Sequence, residues 1–218
     1  MKLADALSKI NDFKGHWLGS KLGTIQQDFE GCTAATATSL YRKYQIDTTL
    51  LEAATAIKDA ARQIDEVMHA VGILKFLPNI LQVDEVIESL SLGAGNTGKP
   101  FDLITNLRIA EFTFIYWKGG AESIRQNKLF KDFFDLAEFD TQKKRCLYVL
   151  DSPIPLEFLN GGRSIKSVLS RNLKLWNTFQ EKYGTRFTRV KEYYDHRKDT
   201  VEVVSLYELT KKPANKRI

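Results

Sequence analysis

Apolar residues recur at helical spacing in the first third of the chain and at alternate positions in its middle. Leu3, Leu7 and Ile10 fall on one helical face, so the opening segment reads as an amphipathic helix. His16 to Gly31 is rich in glycine and polar residues and reads as a connection. Ala35–Tyr44 reads as helical, and Thr48 or Thr49 is placed to cap a long helix running to about Met68. Ile57, Ala61, Ile64 and Met68 share one face of it. Gly72 and Pro78 break the pattern, and Pro78 begins or bends a further helix.

From Val83 the period falls to two. Val86–Leu92 alternates apolar and polar residues as a half-buried strand does, and a glycine-rich turn follows at Gly93–Gly98. Phe101–Thr105 and Leu107–Tyr116 read as two strands joined by a tight turn at Asn106. Ser123–Phe139 is an amphipathic helix with Ile124, Leu129, Phe133 and Leu136 inward, and the almost wholly apolar Arg145–Leu150 reads as a covered central strand. The order over residues 79–151 is therefore αβββαβ. A helix over Ser164–Tyr183, ended by Gly184, precedes a predicted β-hairpin of Arg186–Tyr194 and Val201–Leu209 and a basic tail, KKPANKRI. The fold class expected is α/β (α+β). A mainly helical N-terminal region, 1–78, precedes a core over 79–218 that closes with a C-terminal helix and hairpin.

The 218 residues, 43% hydrophobic and 27% charged, suffice to bury a proper core. No stretch approaches the roughly 20 apolar residues that span a bilayer. MKLADALSKINDF carries Asp5 and Asp12 where a signal peptide would be apolar, so a cytoplasmic protein is expected. Cys32 and Cys146 exclude a disulfide scaffold and a four-cysteine zinc site, and they are read as reduced thiols. His16, His69 and His196 are scattered, without HExxH or HxH spacing, and read as surface or satisfied core residues. The net charge of +5 is unevenly spread. Residues 1–98 hold 9 Lys+Arg and 12 Asp+Glu, and residues 99–218 the other 23 and 15. Only the basic C-terminal part suits a polyanion.

Two motifs bear on chemistry. Gly93–Lys99 nearly matches the phosphate-binding GxxxxGK[ST] loop. Pro100 stands where the magnesium-binding hydroxyl belongs and a strand follows where a helix is needed, so the segment reads as a turn. The second motif is Pro100-Phe101-Asp102, eight residues, then Glu111-Phe112-Thr113. Ile109, Glu111, Thr113 and Ile115 share one strand face, and a short hairpin brings Asp102 near Glu111. An acid in an apolar strand is costly without a partner or a cation, and paired carboxylates with oxygen-only ligands favour magnesium or manganese. The structural alternative is that Asp102 caps the turn and Glu111 pairs with Arg108 or Arg125.

At these residues the chain resembles the PD-(D/E)xK, or restriction endonuclease-like, nuclease superfamily over about 70 residues, 79–151. The resemblance implies a Mg2+ (or Mn2+) site at Asp102 and Glu111, with the Phe112 carbonyl as a further ligand. It also implies a catalytic lysine at the position that Thr113 occupies. A hydroxyl supplies no positive charge. Lys118, just beyond the strand, is the candidate to replace it. Arg125, Gln126 and Lys128, heading the next helix, are candidates to face a phosphate, with a solvated face as the plain alternative. Asp84, Glu85 and Glu88 are candidates for a further acid. Trp117 and Tyr193–Tyr194 have a base-stacking reading beside their ordinary packing one. The implied activity is that of a divalent-metal-dependent endonuclease or phosphodiesterase acting on DNA, as a homodimer or with a partner subunit. The alternative is a catalytically inactive nucleic-acid-binding or protein-interaction module derived from a nuclease.

Overall fold

The computed structural model describes residues 1–93, 98–117 and 122–211. Most of the glycine turn, Lys118, and the basic tail after Lys211 lie outside the described residues. No helix among the described residues is long and apolar enough to cross a membrane, and both cysteines are free thiols. The chain divides into two compact units, Met1–Asp65 and Glu66–Ile218.

The first unit comprises α1 (Leu3–Lys14), α2 (Leu18–Phe29), α3 (Ala34–Lys43) and the start of α4 (Thr48–Ile80). The stretch expected as a connection from His16 is therefore a helix. Leu18, Leu22, Ile25 and Phe29 recur at helical spacing, and that stripe outweighs a cost of roughly 1 kcal/mol for each interior glycine. The buried side chains of this unit are small, Ala6 and Ala53. Polar ties hold it: Lys9 to Asp47 at 3.1 Å, and Lys43 and Tyr44 both donating to Asp28.

The second unit is built on a five-stranded mixed sheet. Its strands are β1 (Ile87–Leu90), β2 (Leu103–Thr105), β3 (Arg108–Thr113), β4 (Lys144–Val149) and β5 (Val201–Ser205), in that spatial order. β1–β2 and β2–β3 are antiparallel; β3–β4 and β4–β5 are parallel. Between β3 and β4 runs α5 (Ser123–Glu138). Between β4 and β5 run α6 (Pro153–Leu159), α7 (Ile165–Leu169), α8 (Leu173–Tyr183) and α9 (Val190–Arg197), and α10 (Leu206–Lys211) follows β5. Strand alternation sorts the core into two layers. Ile109, Leu147, Val149 and Val201 pack with α5 through α9, whereas Ala110, Phe112, Cys146 and Tyr148 pack with the C-terminal part of α4 and the start of α10.

Three expectations are corrected here. Gly72 does not break α4, which continues to Ile80 with Pro78 in its last turn. Gly72 serves packing instead, because a Cβ there would lie 2.5 Å from the Phe114 ring. The helix expected over Ser164–Tyr183 breaks at Ser170–Asn172, where the Asn172 side chain accepts from Leu175 N and starts α8. The predicted C-terminal hairpin does not form. Val190, Tyr193 and Tyr194 also have helical spacing, and Glu192 accepts the Thr188 and Arg189 N–H groups at the head of α9. Only Val201–Ser205 is a strand, and it extends the sheet in parallel beside β4.

One buried ion pair fixes the β2–β3 turn. Arg108 donates from Nε and Nη2 to the two oxygens of Glu85, each at 2.6 Å, and from Nη1 to the Tyr148 hydroxyl at 2.8 Å. Thr105 adds a hydrogen bond to Glu85 at 2.7 Å. Removing one member of such a pair leaves an uncompensated buried charge. Glu85→Ala is expected to lose about 3–5 kcal/mol of stability in urea unfolding of the whole chain, whereas a loss under 1 kcal/mol would show the pair to be dispensable.

Candidate functional site

β3 presents Glu111 and Thr113 to the α5 layer, in register with Leu147 and Val149 of β4, which face the same way. Arg108, Ile109, Ala110, Phe112 and Thr113 are buried, and Glu111 is half-buried among them. Asp102 lies just ahead of β2, its backbone carbonyl accepting from Ser91 N at 2.8 Å. Its side chain is aimed across the sheet edge at β3. Oδ2 accepts the Phe112 N–H at 2.9 Å, and Oδ1 lies 3.2 Å from Nε2 of His69 on α4. The carboxyl group of Glu111 is within hydrogen-bonding reach of Asp102. The N–H and C=O of one strand residue point to the same side, so the Phe112 carbonyl also looks toward the Asp102 edge.

Helix α5 supplies the opposite wall. Asp132 is 3% exposed and bears on Glu111 electrostatically. It accepts from Lys128 Nζ at 2.9 Å, one helical turn earlier, and lies 3.6 Å from Lys131. The Lys128 charge acts on Asp132, Glu111 and Asp102 together. The group thus holds three carboxylates, Lys128, Lys131 and His69. On the same strand face the Thr113 hydroxyl is buried, with no hydrogen-bond partner among the described residues.

The carboxyl pair is strongly polarised. Burial pushes the Glu111 carboxyl far above the ordinary carboxylate range, helped by the negative charges of Asp132 and Asp102 and by its hydrogen bond to Asp102. Burial also opposes ionisation of Asp102. His69, the Phe112 N–H and Glu111 outweigh that and hold Asp102 below its ordinary value. The two shifts run in opposite directions, Glu111 up to about 10 and Asp102 down.

Of the residues singled out in the sequence, Asp102, Glu111, Phe112, Thr113 and Lys128 come together. Arg125 does not join them, being held by Glu122 at 2.8 Å, and Gln126 accepts from Arg163. The three candidates for a further acid are also placed elsewhere. Asp84 sits at φ 61° with its carbonyl held by Asn106, Glu85 is consumed by Arg108, and Glu88 pairs with Lys143. Neither alternative partner of Glu111 holds, because both Arg108 and Arg125 serve other acids. Tyr193 is fully buried against Phe130, Phe134 and Phe179, so its role is packing, and Trp117 packs on the same core.

His69 and Asp132 were not foreseen. Asp132 carried a signal, since it falls among Leu129, Phe133 and Leu136 on the inward side of α5. His69 carried none, its partner being 33 residues away.

Among the described residues, no three His, Cys, Asp or Glu side chains form a ready cage for a metal ion. The donors that fit a hard divalent cation are the Asp102–Glu111 pair and the neighbouring backbone oxygen, with water completing the shell as magnesium commonly requires. A cation there would compete with the proton that the raised Glu111 carboxyl favours.

Glu111 gives a pH-dependent stability with a defined sign. Its folded-state pKa is raised, so the folded chain binds the extra proton and stability declines as pH rises above 4.5 toward the raised value. Asp102, shifted the other way, acts only below about its ordinary 3.8. In metal-free protein, Glu111→Gln is expected to melt above the parent at about pH 8 and to lose that advantage near pH 4.5. Equal melting differences at both pH values would remove the protonated Glu111. No protein-family model, no curated protein and no solved structure matches this chain.

Proposed function

We propose that the protein is a PD-(D/E)xK-type phosphodiesterase acting on DNA with Mg2+ or Mn2+. In this reading Lys128 of α5 supplies the charge that Thr113 does not. The observation that carries the reading is the meeting of the Asp102 and Glu111 carboxyl groups beside a lysine from the next helix, with Asp132 behind it. The order α4-β1-β2-β3-α5-β4, with the four strands adjacent in sequence order, supports it. So does the basic balance of residues 99–218, 23 against 15.

Asp102 and Glu111 would hold the cation, aided by the Phe112 carbonyl; when bound, it supplies Lewis-acid activation of phosphate and water. The chain's own contributions are orientation and charge. His69 fixes one oxygen of Asp102 and the Phe112 N–H fixes the other, leaving little freedom for the carboxylate to turn. The Lys128 ammonium, held by Asp132, is placed to stabilise negative charge developing beside the pair. Thr113 offers a hydroxyl able to hold water but no charge.

A second reading, a nuclease-derived module that binds without cutting, is favoured by one observation: Lys128 is engaged by Asp132. Cleavage assays separate the two. Magnesium- or manganese-dependent DNA cleavage is expected, abolished by Asp102→Ala. Lys128→Gln is expected to slow it roughly 100- to 1,000-fold, as loss of one preorganised charge does. Thr113→Lys placed in the Lys128→Gln background is expected to recover much of that loss. Cleavage untouched by Asp102→Ala, or no cleavage by the parent under either metal, would defeat this reading.

A further inference from the structure

We propose that the Arg163 guanidinium forms a phosphate subsite for the backbone of a nucleic-acid strand, with Arg189, held at the adjoining Gly162 carbonyl, adding positive charge. The subsite deepens the nuclease reading, because Arg163 is tied to α5 two residues before Lys128. Its Nη1 donates to Gln126 Oε1 at 2.5 Å, and no carboxylate among the described residues pairs with it. A half-buried arginine with a neutral amide as its side-chain partner is unusual, because desolvated charge is ordinarily matched by opposite charge. Burial lowers its pKa with no acid to offset the effect. Four further N–H donors of the planar fork remain for an incoming anion, and that fork matches phosphate oxygens.

The backbone around Arg163 is rigidly placed. Val190 N donates to the Arg163 carbonyl at 2.9 Å, Ile165 N to Thr188 O at 3.0 Å, and Lys191 N to Gly161 O at 3.2 Å. These bonds lay the Gly161–Ser164 loop along the start of α9. Arg189 then folds back over the loop, its Nη1 3.3 Å from the Gly162 carbonyl. A Cβ on Gly162 would lie 3.0 Å from that nitrogen, so the glycine leaves room for the guanidinium. The nearby Glu192 carboxylate is occupied by the Thr188 and Arg189 N–H groups and the Thr188 hydroxyl.

The wider charge pattern agrees. Residues 163–198 hold 10 Lys+Arg and 3 Asp+Glu. Lys182 and Arg197 serve Glu138, and Lys198 serves Asp195. The other seven basic residues have no salt bridge among the described residues. A polyanion supplies the missing counter-charge, and a phosphodiester strand is the polyanion suited to the nuclease reading of the Asp102–Glu111 pair, whose neighbour Lys128 lies on the helix that holds Arg163 through Gln126.

The test is fluorescence anisotropy in EDTA, which prevents turnover, with labelled single-stranded DNA, duplex DNA and single-stranded RNA across a salt series. The parent is expected to bind at least one of these with strong salt dependence. Arg163→Gln and Arg189→Gln are each expected to weaken binding several-fold and to lower the log–log salt slope by about one. Arg163→Lys is expected to keep the slope, as is Lys58→Gln on α4. Thermal melts identify any variant that fails to fold; if Arg163→Gln does so, Arg189→Gln decides. Absence of binding by the parent, or folded variants with the parental slope, would overturn the subsite. Loss of binding in the variants of a parent that never cleaves would uphold the subsite and remove the nuclease reading. Parental cleavage with unaffected binding in the variants would do the reverse.

Discussion

Glu111 occupies the middle of a strand whose other residues are buried, and its carboxyl group faces Asp102 from the sheet edge and Asp132 from α5. Three acids in so small a volume cannot all ionise without compensation. The surroundings supply what compensation there is: His69 and the Phe112 N–H on Asp102, and Lys128 and Lys131 on Asp132. Glu111 is left favouring its neutral form. Sheet register, the α4 contact and the inward face of α5 all meet at that one costly group, and each has reason to be where it is because of it.

The fold arranges this with ordinary means. A parallel β3–β4 pair requires a crossover, and α5 provides it, so the helix that follows Glu111 in sequence also covers it in space. Lys128 and Asp132 are one turn apart and emerge on the same side. The Arg108–Glu85 pair, joined by Thr105, ties the β2–β3 turn on the other face of the sheet.

Much of this was legible from alternation and spacing. The αβββαβ order, the shared face of Glu111 and Thr113, and the approach of Asp102 followed from strand period and hairpin length. Three kinds of feature were not. The His69–Asp102 contact joins residues whose spacing has no local meaning. The α9 segment satisfies both helical and strand periods, and the Glu192 cap tipped it to helix. Glu85 offered no mark that separated a buried partner of Arg108 from a site acid, because that choice is made only when the turn closes. Asp132 was readable in principle, as a charge at a core position of an amphipathic helix.

Under the proposed function the Asp102–Glu111 pair binds a divalent cation. A crystal of the parent protein soaked in manganese, with anomalous diffraction recorded at the metal edge, tests it most directly. One principal peak is expected, within roughly 2.1 Å of a carboxylate oxygen of each residue. A protein saturated with manganese that shows no peak there, its two carboxyl groups still hydrogen-bonded to one another, would contradict it.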